Sequence, residues 1–293
     1  MKRVQIQFAF TLIFALIFVK INAYHNSSGS KPTSPDVLNY ADFKEIFRDD
    51  FNQDKLNTTN WQVGDNLIRP FTNQYQLYTK DNIQIKDGNL IISAQHNPTS
   101  HNGKIYEYTG GYLDSNFTTG IKFKYGYTEA RIKLPQLVAL DSSEPAFWAL
   151  PDDYSRWPFS VELDIMEYST VWTKDNKPYV FNTLIYGIRH QDQTNCTIYY
   201  RAPPLKLDFT QYHTYGMLWT EKEVTMYIDG IAHFTYVGND PSNNSQVNCP
   251  IVIPNKNFFL ILDFAVQQKQ AKPEHYPKQM YVDYVRVLKP KQK

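Results

Sequence analysis

This 293-residue chain predicts an all-β domain, folded as a two-sheet sandwich or a barrel. Three observations carry that expectation. β-Formers dominate the composition, with 22 Tyr and 18 Phe among many Ile, Val and Thr. Two Asp-Gly dipeptides, Asp87-Gly88 and Asp229-Gly230, stand between apolar runs, which is the turn chemistry of tight hairpins. Strand-like stretches then recur at short intervals over roughly 250 residues, a length that one large β domain fills. Pattern alone does not choose between sandwich and barrel.

Residues 1–23 read as a secretory signal. Lys2 and Arg3 form its positive end, Phe8 to Val19 its apolar stretch, and Ala23 its cleavage point. The apolar run of about twelve residues is short against the roughly twenty that span a bilayer, and a retained anchor is the alternative. Residues 24–40 form a polar lead, and 41–290 a single folded domain without internal repeats. Without Lys2, Arg3 and Lys20 the balance is 27 basic against 29 acidic residues. That excludes nucleic acid as a partner, since binding it requires a basic face. A secreted, extracellular monomer with no membrane contact after signal removal is expected. Five sequons, at Asn26, Asn57, Asn116, Asn195 and Asn243, agree with export. In an oxidising compartment Cys196 and Cys249 are expected to form a disulfide closing a long loop, with two buried thiols as the alternative.

Along the domain, Asn82–Ala94 and Glu223–Tyr236 are hairpins turning at their Asp-Gly dipeptides. Tyr127–Pro135 alternates strictly, with Glu129, Arg131 and Lys133 on one face and Ala130, Ile132 and Leu134 on the other. Met280–Leu288 is a further strand. Between them lies the most informative stretch, Ser160–Ser169, SVELDIMEYS, with three carboxylates among apolar residues. As a helix it gathers no common acidic face, because Glu162 and Asp164 point about 160° apart. As a strand, Glu162 and Asp164 share a face while Leu163 and Ile165 enter the core. A one-residue bulge at Ile165-Met166 returns Glu167 to the acidic side.

Four strand steps cover roughly 13 Å, and inward-leaning Glu side chains then meet at about 5–5.5 Å, the spacing of a retaining glycosidase pair. One Glu attacks the anomeric carbon while the other protonates the leaving oxygen and later activates water. Asp164, between them, tunes both. A solvated acidic face and a calcium site are the competing readings. The neighbouring Ala146–Pro151 (AFWALP) and Trp157-Pro158 favour catalysis, since indole faces stack on sugar rings.

The segment Phe147–Tyr168, FWALPDDYSRWPFSVELDIMEY, resembles the signature of glycoside hydrolase family 16, the laminarinase-like endo-β-1,3-glucanases. YGYTEARIKLP (125–135), YHTYGMLWTEKEVTMYIDG (212–230), the Phe258–Val266 run and the Met280–Val287 end resemble further stretches of that family, in order, from about residue 43 to 288. The resemblance implies a β-jelly-roll sandwich of two antiparallel sheets with a concave substrate cleft. It also implies hydrolysis of β-glucan through a covalent glycosyl-enzyme intermediate, on β-1,3 or mixed β-1,3/1,4 linkages. By motif position Glu162 matches the nucleophile, Asp164 the assisting acid and Glu167 the acid/base. Trp148 and Trp157 match cleft aromatics, Arg131 a strand residue that reaches substrate, and Asn73 a sugar contact. No cofactor or catalytic metal is implied. The family holds a structural calcium on its convex side, for which Asp283 is a candidate ligand.

The chain departs from the pattern at four places. Val161 replaces the usual Gly, Ile185 a common substrate-contacting His, Gln267-Gln268 a Gly-Gly pair and Asp263 an Asn. His190 and His213 read as structural. Two other classes share the fold: glucan recognition without turnover, whose members lose one or both glutamates that are kept here, and transglycosylation, which the same retaining chemistry permits.

Overall fold

Alternation of apolar and polar side chains sorts the chain into two sheets. The computed structural model describes residues 37–69, 75–115, 120–138, 141–153, 160–170, 177–189, 195–201, 207–238, 252–267 and 271–292, with side chains of 187–189 and 195–201 excepted. The signal, Asn26, Asn73, Asn116, Trp157, His190, Asn243, Cys249 and Gln268 lie outside the described residues, as do the side chains of Asn195 and Cys196. Asn57 sits on an exposed turn, its Oδ1 accepting from the Thr59 amide at 3.0 Å. None of the described helices is long and apolar enough to cross a membrane.

Among the described residues, seventeen strands follow in chain order: β1 Phe43–Asp49, β2 Gln62–Val63, β3 Gln76–Tyr78, β4 Ile83–Lys86, β5 Asn89–His101, β6 Lys104–Gly110, β7 Tyr112–Asp114, β8 Gly126–Lys133, β9 Ser143–Pro151, β10 Glu162–Ser169, β11 Tyr179–Arg189, β12 Asn195–Arg201, β13 Tyr212–Trp219, β14 Glu223–Ile228, β15 Ile231–Val237, β16 Phe258–Val266 and β17 Lys278–Pro290. One sheet has ten strands, in the path β15-β14-β13-β8-β17-β5-β6-β3, with β1 on β17 and β4 on β5. The other has seven, in the order β12-β11-β10-β9-β16-β7-β2. All pairings are antiparallel except β3 with β6. This is the expected two-sheet sandwich, and it places β10 near the middle of the smaller sheet.

Local chemistry fixes the turns. Asp87 and Gly88 have φ of 51° and 69°, and Asp229 and Gly230 have 51° and 74°, the doubly positive geometry of hairpin turns. A third turn of this kind, Asn102 and Gly103 at 50° and 73°, joins β5 to β6. The chain crosses between sheets at Gly110-Gly111, where a Cβ on Gly110 would lie 2.3 Å from the Phe264 carbonyl oxygen. Only glycine allows so close an approach.

Between the sheets, Phe147, Leu163, Met166, Leu260 and Leu262 from one side meet Ala130, Ile132, Met217 and Val285 from the other, all fully buried. Each of the larger side chains contributes about 1.5–3 kcal/mol by leaving water. A separate apolar cluster, Tyr78, Tyr112, Ala146, Trp148, Phe259 and Ile261, lies on the opposite face of the seven-stranded sheet. A third caps the outside of the ten-stranded sheet, where Leu38 packs with Tyr127, Tyr227 and Leu288. The last residues of the polar lead thus belong to the packed domain, because the Leu38 amide bonds the Gly230 carbonyl at 2.9 Å.

Candidate active site

The register of β10 places the acids. Against β9, Leu163 stands opposite Ala149 and Asp164 opposite Trp148, but Met166 is already opposite Phe147, so Ile165 is an extra residue. Against β11 the same shift falls between Asp164, opposite Thr183, and Glu167, opposite Phe181. The bulge predicted from the spacing is present, and Ile165 and Met166 both point into the core. Glu162, Asp164 and Glu167 consequently share the outer face of the seven-stranded sheet.

A bulge leaves a carbonyl without its regular ladder partner, and here Asn182 supplies one. Its neighbours Val180, Leu184 and Tyr186 are core residues, and its Nδ2 donates to the Ile165 carbonyl. Tyr236 in turn donates to the Asn182 carbonyl at 2.9 Å. Entry to the strand is unusual as well: Val161 has φ of 70°, a conformation a β-branched residue rarely adopts. This accounts physically for glycine being usual at that place.

Across the face, Asp164 is 2% exposed and both glutamates are half-buried. Glu167 accepts from Thr183 Oγ1 at 2.8 Å. Ile185 stands opposite Glu162 on β11, an apolar neighbour where a hydrogen-bonding side chain was the family expectation. On the other flank Trp148 donates from its indole nitrogen to Asp263 Oδ1 at 2.8 Å, and Tyr78 donates its hydroxyl to Oδ2 of the same carboxylate. Burial pushes the Asp263 carboxyl up to about 6, against the pull of the Tyr78 hydrogen bond, Arg69 and the Trp148 hydrogen bond. Arg69 lies over the Trp148 ring at 4.4 Å and near Tyr112 at 5.7 Å. Burial opposes its charge, yet Tyr112, Tyr78, Asp263 and Glu162 together hold it protonated more firmly than usual. Beyond Arg69 a groove of about 570 Å³ runs toward β2 and β7, lined by Tyr112, Gln62, Asp65, Asn66 and Asp114. Polar side chains converging on a groove of this size suit a sugar.

Two expected site residues lie elsewhere. Arg131 is on the outer face of the ten-stranded sheet, across the sandwich from the acids, because Ala130 and Ile132 beside it fill the core. There it pairs with Asp283 at 2.7 Å and stacks on Tyr212 at 4.5 Å, so it does not reach the cleft. Asp283 is likewise an ion-pair partner, and the described residues contain no group of three or more metal-ligating side chains. Trp148 is on the cleft face, but its ring is covered by Arg69 and only 6% exposed. His213 bonds Asp229 Oδ2 at 2.7 Å and the Asp208 carbonyl at 3.1 Å, away from the acids. Arg69, Tyr78 and Asn182 were missed as site residues. For Asn182 a signal existed, a polar residue where alternation demands an apolar one.

The family described as beta-porphyranase A-D, GH16 domain, matches residues 43–290. The chain belongs to glycoside hydrolase family 16. Among curated relatives, glucan endo-1,3-beta-glucosidase A1 of Niallia circulans is 27% identical over 284 residues, covering 88% of this chain and 39% of that protein. The chain thus spans less than half of that relative's length. Beta-glucanase of Rhodothermus marinus is 30% identical over 229 residues, covering 74% of each chain. Among solved structures, the catalytic domain of an endo-1,3-beta-glucanase (laminarinase) from Thermotoga petrophila RKU-1 shares the fold. It superposes with a TM-score of 0.67 at 24% identity, covering 86% of this chain and 99% of that one.

Proposed function

We propose that this family 16 member is a secreted, retaining endo-β-glucanase acting on β-1,3 or mixed β-1,3/1,4 linkages. The observation that carries the reading is the β10 bulge, which sets Glu162, Asp164 and Glu167 on one face, with Asp164 opposite Trp148 on β9. In this reading the Glu162 carboxylate attacks the anomeric carbon as Glu167 gives its proton to the departing glycosidic oxygen. Glu167 then takes a proton from water, whose oxygen displaces Glu162 from the sugar. The Thr183 hydroxyl orients Glu167, and buried Asp164 lies between the two glutamates to keep the nucleophile in place. Similarity to the two bacterial glucanases supports β-glucan as substrate, and the apolar leader supports export.

A second reading, cleavage of porphyran, is favoured by the matched family's description. Sugar release from laminarin, lichenan and porphyran by wild type and Glu162→Gln separates them. The expected result is release from laminarin, the β-anomer appearing first by NMR, and a loss of about 10³-fold or more in the variant. Equal activity of the two proteins would remove Glu162 from its role. Release from porphyran alone would select the second reading.

A further inference from the structure

We propose that Asp263 is a positioning residue of the cleft: its carboxylate fixes the edge of the Trp148 indole and holds the Arg69 guanidinium over that ring, and protonation of the carboxylate releases Arg69. The effect on turnover rests on the glycosidase reading; the stack itself does not.

The geometry is specific. Asp263 on β16 stands opposite Ala146 on β9, which stands opposite Glu167 on β10. It is 2% exposed and accepts from Trp148 and Tyr78. Among the described residues, the charged and titratable groups facing it include Tyr78 from β3, Tyr112 from β7, Glu167 from β10 and Arg69 from the segment before β3. Of these, Arg69 carries the positive charge. Burial disfavours its charge, Tyr112, Tyr78, Asp263 and Glu162 favour it, and the guanidinium lies over the Trp148 ring whose N–H Asp263 accepts.

A protonated carboxyl still offers an oxygen to the Trp148 N–H. It no longer offers a charge to Arg69, and its own proton competes with the Tyr78 hydroxyl. The tryptophan therefore keeps its bond while the arginine loses a counter-charge. Since burial places the Asp263 titration in mild acid, at about 6, the release falls within an accessible range. The reading also gives the Asp-for-Asn departure a physical content, because an amide supplies the same acceptor oxygen without the charge.

Intrinsic tryptophan emission followed from pH 8 to 4.5 tests the stack directly. Wild type should show a transition with a midpoint near 6 that is absent in both Trp148→Phe and Asp263→Asn. Arg69→Met should fix the emission near its low-pH form. In kinetics on laminarin, wild-type KM should rise several-fold from pH 7.5 to 5, while the KM of Asp263→Asn stays flat and kcat of both follows the same profile. Persistence of the emission transition in Asp263→Asn, or a wild-type KM that ignores pH, overturns the proposal. Absence of hydrolysis on every glycan refutes the functional reading instead, and the emission measurement still decides the role of Asp263.

Discussion

Two buried carboxylates, one on the outer face of each sheet, meet opposite treatment. Glu129 on the ten-stranded sheet is fully buried and accepts from Tyr40, Tyr127 and Tyr284 at 2.7–2.8 Å and from Arg286 Nε at 2.7 Å. Asp263 on the seven-stranded sheet accepts from two neutral donors, and its cation lies over a neighbouring ring. Around Glu129 the three tyrosines are held protonated above their ordinary range, by burial first and by the Glu129 charge next. A carboxylate saturated in this way is a structural tie. It fastens Tyr40, from the segment ahead of β1, across β8 and β17. The less satisfied carboxylate sits beside the groups proposed to do chemistry, where an adjustable proton has a use.

Removing Glu129 breaks that tie and gives the largest effect. Glu129→Ala removes a fully buried carboxylate and leaves Arg286, its partly buried ion-pair partner, and three tyrosine hydroxyls without that acceptor. Loss of one member of a buried pair costs about 3–5 kcal/mol. Urea denaturation should show that loss at neutral pH, while cleft chemistry per folded molecule stays unchanged. A loss below about 1 kcal/mol would mean that the four donors find other acceptors and that the contrast with Asp263 is false.

Asp263→Asn should act in the other direction. The folded state holds the Asp263 proton more tightly than the unfolded chain does, with a value of about 6 against a reference of 3.8. A raised carboxyl contributes no penalty below the unfolded value, where both states are protonated. Its penalty grows as pH rises from about 4 to 6 and is complete above that window. At 1.36 kcal/mol per unit, the amide should stabilise the fold by up to about 3 kcal/mol at pH 7.5 and by little at pH 4. Melting temperatures at the two pH values check this; a gain equal at both would exclude titration as its origin. Stability given up at a site that works is a familiar trade.

Much of this was legible in the sequence, and the rest failed for identifiable reasons. The hairpins at Asp87-Gly88 and Asp229-Gly230 were readable because a local dipeptide determines a local turn, and the same signal at Asn102-Gly103 was overlooked. The bulge was readable because acids spaced two and then three apart cannot share one face of a regular strand. Arg131 shows the limit. Alternation correctly put it opposite Ala130 and Ile132, but a strand's pattern does not say which of two sheets it joins, and the cleft belongs to the other sheet. Arg69 and Tyr78 have no local signature either. They come from the segment before β3 and from β3 itself, and only tertiary packing brings them to β9 and β16. Asp263 was visible as a departure from a family pattern, but its partners were not.

Val161 offers the smallest effect and the finest contrast, since it stores strain in the backbone beside Glu162 where Asp263 stores it in a charge. A φ of 70° costs a β-branched residue about 1–3 kcal/mol. Val161→Gly relieves this, but it adds unfolded-chain entropy worth about 0.5–1 kcal/mol. It also gives up a side chain partly buried against the core. The terms nearly cancel, so denaturation should place the variant within about 1 kcal/mol of wild type. A Val to Gly change at an ordinary strand position would cost clearly more, because nothing is relieved there. Should Val161→Gly lose 3 kcal/mol, packing of the isopropyl group outweighs the backbone strain, and the entry to β10 is held by that contact instead.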